Sequence, residues 1–439
     1  VSTPPRRPAR HRTWSGAVRW SPQQVLRPTT TDGVVAAVRT ARARGCALRV
    51  LGAGHSFSAL AATDGITLSL DGLQGLVRAD PRTGLATVRG GTRLWVLADL
   101  LAPHGLALSV MGDIDRQSLA GAIQTGTHGT GARFTGFAAM VRALRLVLAD
   151  GSVVETSPSR DPQLFEAARL GLGTLGVVLE VTVQCVPRYR LELVERTVPW
   201  DAGVGGFLAD SARADHYELF WFPRTDRVTA RTMHRLPAAA PRERPARALE
   251  LLQQEVLGNG VWEALCRGAA LAPPLSRPVA ELASLVFAGP RVVDDSAAVY
   301  VAPRRVRFHE SEWALPAECA EEALAALRER FAAERVRVTF PLEIRRAAAD
   351  DVWLSTAHGR DTVYIAAHRY HREEPGPYLL LVQRTLARFG ARPHWGKMHW
   401  LGARELSQRY PRFEEFRAVR AAADPDGVFM TPYLRHLLG

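Results

Sequence analysis

Lysine and asparagine are nearly absent from this 439-residue chain. Lys397 is the sole lysine among 56 basic residues, and Asn259 is the sole asparagine. Such a bias matches the codon composition of a GC-rich genome, in which arginine supplies any generic positive charge. A position that keeps lysine then calls for a compact ammonium rather than a broad guanidinium fork, with chance as the alternative that a count leaves open. Cysteine is also scarce. Cys46, Cys185, Cys266 and Cys319 lie far apart with no CxxC pair, which argues against a structural zinc site and a disulfide-stapled scaffold. A reducing cytoplasm is the expected compartment, and no metal is expected. No stretch approaches the ~18 apolar residues of a membrane span. The Arg- and Pro-rich residues 1–14 have no apolar segment behind them, so neither a span nor an export signal is expected.

What is present is apolar mass. With 47% hydrophobic and 23% charged residues, the chain can bury one elaborate core or two, and disorder and collagen are excluded. The net charge of +12 would suit a polyanion if it were clustered. Arginine is instead spread through the chain and interleaved with acids, as in residues 404–420, and the one basic run, residues 6–12, falls on an expected tail. A solvated surface explains the charge better than a nucleic-acid site.

The pattern divides the chain. Helical spacing over residues 31–45 leads into an apolar strand at 48–51 and then into Gly52, Ala53, Gly54, His55 and Ser56. Short strands at 66–70, 75–79 and 85–89, a helix at 94–101, a hairpin across 141–156, a helix from 161 and a strand at 176–185 complete a first part rich in short strands. Beyond Pro187 the expected strands lengthen, at 191–198, 216–222, 305–313, 336–345 and 362–370. Helices are expected at 247–257, 317–333 and 378–389, which together predict one antiparallel sheet with helices on a face. Pro-rich pieces such as residues 273–278 read as loops.

Two loops carry chemistry. Glycines at 52 and 54 after a strand let backbone N–H groups approach a pyrophosphate. They run into His55 and another strand rather than a helix, which argues against a nicotinamide-binding Rossmann unit. The second loop runs Gly121, Ala122, Ile123, Gln124, Thr125, Gly126, Thr127, His128, Gly129, Thr130, Gly131. Four glycines within eleven residues imply close contact with a flat or phosphorylated ligand, or else a structural Ω-loop.

The run from Leu51 to Phe57, then Gly126-Thr127-His128-Gly129-Thr130-Gly131, then Gly173-Thr174-Leu175-Gly176-Val177-Val178, resembles the FAD-binding (PCMH-type) domain of the vanillyl-alcohol oxidase family. Phe220-Trp221-Phe222-Pro223, the run from Phe308 to Pro316, Pro341-Leu342-Glu343-Ile344-Arg345 and His394-Trp395-Gly396-Lys397-Met398-His399 are similar to one branch of it, the sugar-1,4-lactone oxidases, with the alditol oxidases close by. The resemblance implies an α+β, two-domain fold. A basic tail (1–13) would precede an FAD-binding domain (14–185). An antiparallel-sheet substrate or cap domain (186–400) would follow, and a segment (401–439) would return to the first domain.

It further implies FAD held by Leu51, Gly52, Ala53, Gly54, His55, Ser56, Phe57, Ser118, Gly121, Thr125, Gly126, Thr127, His128, Gly129, Gly176, Val177 and Lys397. In many members the histidine at the position of His55 carries the flavin covalently. No cysteine stands near residues 126–131 to form a second tether. By the same resemblance Arg345 and Lys397 hold or polarise the reacting hydroxyl, Glu343 binds neighbouring hydroxyls, Ser118 contacts substrate, and His368 and His399 assist proton removal.

Strand alternation places Glu310 with Glu312, Glu343 with Arg345 and Lys397 with His399 on shared faces, as a polar ceiling or as plain cross-sheet salt bridges. The implied substrate is a small polyhydroxylated molecule, an aldono-1,4-lactone, with an alditol or cyclitol as the rival. Oxygen or another acceptor would take the electrons. A basic binding protein without catalysis is the reading from a different class. Thr431 departs from the family's frequent Asn.

Overall fold

The computed structural model describes residues 10–245, 258–302 and 305–439. Most of the expected tail and the expected helix at 247–257 lie outside the described residues. Near the start, three short strands form a parallel sheet in the order Gln24–Leu26, Ile66–Ser69, Leu48–Leu51. The helix Thr31–Ala43 makes the first crossover. Thr30 caps it by accepting a hydrogen bond from the Gly33 N–H at 3.1 Å, and the helix buries Val34, Ala37, Val38 and Ala41, the i, i+3, i+4, i+7 stripe that docks on the sheet. A second, antiparallel sheet has the order Val153–Thr156, Val141–Val147, Val177–Gln184, Leu85–Arg89, Leu76–Asp80.

Strands between Tyr189 and Pro393 form one eight-stranded antiparallel sheet. Its order is Val292–Asp295, Tyr189–Pro199, Arg227–Pro237, His216–Trp221, Leu342–Ala347, Thr362–Tyr370, Phe308–Pro316, Arg392–Pro393. The helices Ala320–Ala333 and Gly376–Ala387 bury Leu324, Leu327, Phe331, Leu379, Val382 and Leu386. Phe331 stacks on Trp221 of the sheet with ring centroids 5.8 Å apart. Burial of each such side chain stabilises the layer by roughly 1.5–3 kcal/mol.

Several boundaries differ from expectation. The strand expected at 336–345 begins at Leu342, because Pro341 has no N–H for a ladder and the chain before it stays irregular. The strand expected at 305–313 runs Phe308–Pro316. The 11-residue strand Arg227–Pro237, paired along its length with Tyr189–Pro199, carries too many arginines and threonines to show a clear apolar period. The Pro-rich residues 273–278 form a single 3₁₀ turn, Pro273–Leu275, and open the helix Ser276–Val286, where Pro278 lies in the first turn and needs no N–H partner.

The last segment packs back on the first sheet. The Leu48 N–H donates to the Val428 carbonyl at 2.8 Å. Arg49, buried at 4% exposure, donates to the carbonyls of Leu60, Leu172, Gly173 and Phe429 at 2.6–2.9 Å, so one guanidinium ties three distant segments together. Among the described residues no helix is long and apolar enough to cross a membrane.

Candidate active site

Two cavities meet between the sheets. The first, a cleft of about 1030 Å³ including its open mouth, begins where Leu48–Leu51 ends and the loop Gly52, Ala53, Gly54, His55, Ser56 turns away. Leu51, Ser118, Gly121, Thr125 and Gly176 line it too, as do Gln124, Leu172 and Gly173. A side chain at Gly52 would put its Cβ 2.6 Å from Ser118 Oγ, so the two loops approach with bare backbone between them. The second cavity, about 650 Å³, is lined by Phe57, Thr127, His128, Glu310, Glu312, Glu343, Arg345, His394 and Lys397, among others. His55, Ser56, Gln117 and Thr125 line both, so the two spaces are continuous.

Of the residues expected around the cofactor, three line neither cavity. Val177 points into the apolar core beside Val34 and Leu68, and strand alternation gives its place in the cleft to Val178. Gly126 forms the positive-φ turn (φ 76°) that closes the short helix Leu119–Gln124. Gly129 is wedged against Val110 and the Met111 carbonyl. Ser118 caps that helix, accepting from the Gly121 N–H at 3.3 Å, and faces the first cleft rather than the second cavity.

The polar ceiling comes from three elements. Glu310 and Glu312 lie on Phe308–Pro316, Glu343 and Arg345 on Leu342–Ala347, and Thr362–Tyr370 pairs between them. Lys397 is not on a strand. The Lys397 N–H donates to the His394 carbonyl at 3.0 Å in a turn anchored by buried Trp395, which donates through Nε1 to the Leu354 carbonyl at 2.7 Å. The turn is tied on both sides. His394 N–H and Met398 N–H donate to the carbonyls of Glu312 and Glu310, and Phe57 N–H donates to the Gly396 carbonyl at 2.7 Å. The only lysine is thereby fixed beside the glycine loop. The turn also breaks the alternation expected to align Lys397 with His399. His399 lies outside both cavities, its Nδ1 accepting from the Leu401 N–H at 3.3 Å.

The charges are shared. Lys397 Nζ is 2.5 Å from Glu310 Oε2 and 3.9 Å from Glu312 Oε2. Burial alone would lower the lysine pKa, but the two carboxylates outweigh it and raise it. Lys397 is therefore a permanent ammonium, not the deprotonable amine that a buried lone lysine suggests. Burial raises Glu310, but Lys397 overcomes this and holds it down at about 2. Arg345 donates through Nε to Glu218 at 2.9 Å, pairs with Glu343 and faces Asp113 at 3.7 Å.

His128 stacks on Tyr364 with centroids 3.5 Å apart, and its two nitrogens face the Gly129 carbonyl at 2.9 Å and Glu312 Oε1 at 3.0 Å. Among the described residues His128, Glu312 and His394 place ligand atoms within 4.8 Å of one another. That carboxylate is already engaged by the imidazole and, at longer range, by the ammonium. His368 donates through Nδ1 to the Pro341 carbonyl at 2.9 Å and sits behind Glu310, its Nε2 3.6 Å from Oε1, without reaching the cavity wall.

His55 spans the junction. Its Nδ1 is enclosed and has no hydrogen-bond partner. Burial, then Arg93, Lys397 and Arg116, lower its pKa to about 4, so the ring is neutral near pH 7. Bare backbone at Gly52, the positive field of Arg93, Lys397 and Arg116 at His55 and a neutral imidazole whose Nδ1 has no hydrogen-bond partner fit an anionic dinucleotide with a flat, electrophilic ring. Thr431 lines neither cavity. It caps the helix Pro432–Leu438, accepting from the Leu434 N–H at 3.4 Å.

The glycine-lined cleft, opening into a charged cavity roofed by an antiparallel sheet, defines a two-domain FAD-binding oxidoreductase. Residues 22–157 match the FAD binding domain family, and residues 181–437 match the D-arabinono-1,4-lactone oxidase family. The chain belongs to the D-arabinono-1,4-lactone oxidase family. It is 37% identical over 433 residues to an L-gulono-1,4-lactone dehydrogenase of Mycobacterium tuberculosis, covering 97% of this chain and 98% of that one. It is 32% identical to an alditol oxidase of a Streptomyces species, with 97% and 98% covered, and 30% identical to the L-gulonolactone oxidase of Bos taurus, with 96% of each covered. In fold it matches a cholesterol oxidase from Brevibacterium sterolicum, with a TM-score of 0.80, 17% identity and all of both chains covered.

Arg49 and Gln117 were not legible as site residues. Arginine is too common here to stand out, and Gln117 lies in no recognisable pattern.

Proposed function

We propose that this protein is an FAD-dependent oxidoreductase that oxidises a hydroxyl of an aldono-1,4-lactone, of the L-gulono- or D-arabinono-1,4-lactone type. The observation that carries this reading is the joining of Glu343, Arg345 and Lys397 in one cavity that opens onto the cofactor cleft at His55. When bound, FAD supplies a two-electron acceptor for the hydride that leaves the carbinol carbon. The chain's residues do the rest. Arg345 and Lys397, both fixed as cations, stabilise the negative charge that grows on the substrate oxygen as its proton leaves. Glu343 accepts hydrogen bonds from neighbouring hydroxyls. His368, one residue removed behind Glu310, sits where it can take up a proton that reaches that carboxylate. His399 lines neither cavity, and Ser118 lines the cofactor cleft rather than the substrate cavity.

The neutral ring of His55 is the residue we assign to a covalent flavin link. We place the enzyme in the cytoplasm on the strength of its four free thiols. Oxygen or another acceptor would reoxidise it.

The test begins with the visible spectrum of the purified protein and of the pellet after acid denaturation. Yellow colour retained in the pellet supports the covalent link, while a protein that stays colourless after incubation with FAD overturns the whole reading. Anaerobic bleaching of the flavin by L-gulono-1,4-lactone, D-arabinono-1,4-lactone and xylitol then separates the substrates. Bleaching by xylitol and by neither lactone would select the alditol oxidase reading, which the 32% identity to such an enzyme keeps in view.

A further inference from the structure

His55 is the residue assigned above to the flavin link, yet no hydrogen bond at its enclosed Nδ1 sets the plane of its ring. The loop that carries it does not set that plane either. Gly54, just before it, turns the backbone through the left-handed region (φ 69°) and leaves the imidazole at the apex. A nucleophilic nitrogen reacts along one line of approach, and a misplacement of about 1 Å costs on the order of 100-fold in rate. The ring of His55 is held by a different kind of contact.

Trp14 stacks on it, with ring centroids 5.8 Å apart and planes 24° from parallel. The indole is itself fixed. It sits at the tip of a hairpin whose strands, His11–Arg12 and Arg19–Trp20, pair antiparallel. The tip is tight, with the Thr13 N–H donating to the Val18 carbonyl and the Gly16 N–H to the Thr13 carbonyl, both at 3.0 Å. The Trp14 N–H donates to the Gly54 carbonyl at 2.7 Å, which joins the hairpin to the glycine loop one residue before His55. Around the indole, Phe57 and Phe308 pack edge to face at 6.3 and 5.2 Å and stack on each other at 5.7 Å. A side chain tied by its backbone and enclosed by two rings has little room to swing, so the imidazole stacked on it takes a fixed plane.

Trp14 lines neither cavity, so it acts through His55 rather than on a bound molecule. We propose that Trp14 is the positioning residue for the flavin link: its indole holds the imidazole of His55, at the junction of the two cavities, in the orientation from which a ring nitrogen bonds to the flavin's 8-methyl carbon. This rests on the covalent link assigned to His55 above and deepens it. In that step one N–C bond forms. The imidazole N–H and one methyl C–H break and give up their protons, and the electron pair of the C–H bond stays in the flavin. Dioxygen, or the enzyme's other acceptor, then removes the two electrons, with hydrogen peroxide as the product from dioxygen.

The test compares Trp14→Phe, which keeps a ring to stack, with Trp14→Leu, which keeps apolar bulk without one. Trp14→Met serves as a second ringless variant should the leucine chain fail to fold. Each full-length protein is produced under riboflavin limitation, given excess FAD in air, and sampled over time for colour that stays in the pellet after acid precipitation. FAD affinity, read by fluorescence quenching before the link forms, and a thermal melt are the controls.

At saturating FAD the ringless variant should link at least about tenfold more slowly than the wild type, a part of what a displaced nucleophile loses. The phenylalanine variant should link within about threefold of the wild type, since a smaller ring keeps most of the stack. FAD affinity should be the same in all three, because Trp14 lines neither cavity. Equal linking rates in the phenylalanine and ringless variants, or a slowing matched by a loss of FAD affinity, would overturn the proposal. A wild type whose colour never enters the pellet would overturn the covalent link and the role of Trp14 with it, while bleaching by a lactone would still uphold FAD-dependent oxidation.

Discussion

Lys397 Nζ lies 2.5 Å from Glu310 Oε2, on a turn whose backbone is hydrogen-bonded to the carbonyls of Glu310 and Glu312 and to the N–H of Phe57. One strand therefore fixes both the position of the ammonium and its charge. Replacing it with arginine keeps the charge but brings a wider, planar group that a single carboxylate at this distance cannot hold in the same place. Lys397→Arg should retain flavin and lose alcohol oxidation by about 100-fold or more in kcat, the scale of losing one well-placed charge donor. Steady-state kinetics with the spectrum as control would check it, and wild-type turnover would remove Lys397 from the mechanism.

His55 supplies the second prediction. Its Nδ1 has no hydrogen-bond partner and the ring is neutral, so its removal breaks no bond at Nδ1, although it does cost the stacking on Trp14 at 5.8 Å. His55→Ala should fold and bind FAD reversibly, and acid precipitation should leave the colour in the supernatant instead of the pellet. Colour that remains in the pellet would assign the tether to another residue.

The legible and illegible parts of this site differ for physical reasons. Glu310 with Glu312 and Glu343 with Arg345 were readable as shared faces because their segments are strands, where side chains alternate. The same rule misplaced His399, because Gly396 and Trp395 form a turn that no period of two describes. The rarity of lysine pointed to Lys397 but not to its protonation state. That state depends on two carboxylates 85 or more positions away in sequence, which only the pairing of strands brings within reach. Strand starts failed in the same way at Pro341, where an apolar run continues past the point at which the ladder can begin.

Gly129 gives a prediction about stability rather than chemistry. A Cβ there would lie 2.3 Å from Val110 Cγ2 and 2.4 Å from the Met111 carbonyl oxygen, and the second contact is backbone that cannot rotate away. Gly129→Ala should cost roughly 1–3 kcal/mol, the usual range for overpacking a filled site, and loosen the loop that carries His128. Chemical denaturation would measure it. An unchanged midpoint would show that Val110 and Met111 yield freely.

The last prediction concerns acid. His216 is fully buried, its Nδ1 facing the Thr130 carbonyl at 2.7 Å while Nε2 accepts from the Tyr300 hydroxyl at 2.7 Å. His394 is buried at 5% exposure, with Nδ1 accepting from the Gly396 N–H. Burial lowers both from 6.5 to about 4, so the folded protein holds these rings neutral where the unfolded chain would protonate them. The unfolded state then binds more protons between about pH 6.5 and 4, and folding stability falls as pH falls through that window. The slope approaches about 1.4 kcal/mol per pH unit for each imidazole. Glu310, held at about 2 against an ordinary 4.5, works in the next window down. Its contribution is present above pH 4.5 and is lost as pH falls toward 2. Asp350, raised by burial to about 6, works with the opposite sign in the same window as the histidines, and His55 and His399 are lowered to about 4 as well. Denaturation at pH 7.5, 6 and 5 is therefore compared between the wild type and His394→Gln, and an unchanged slope in the variant would mean that the His394 ring is not held neutral in the fold.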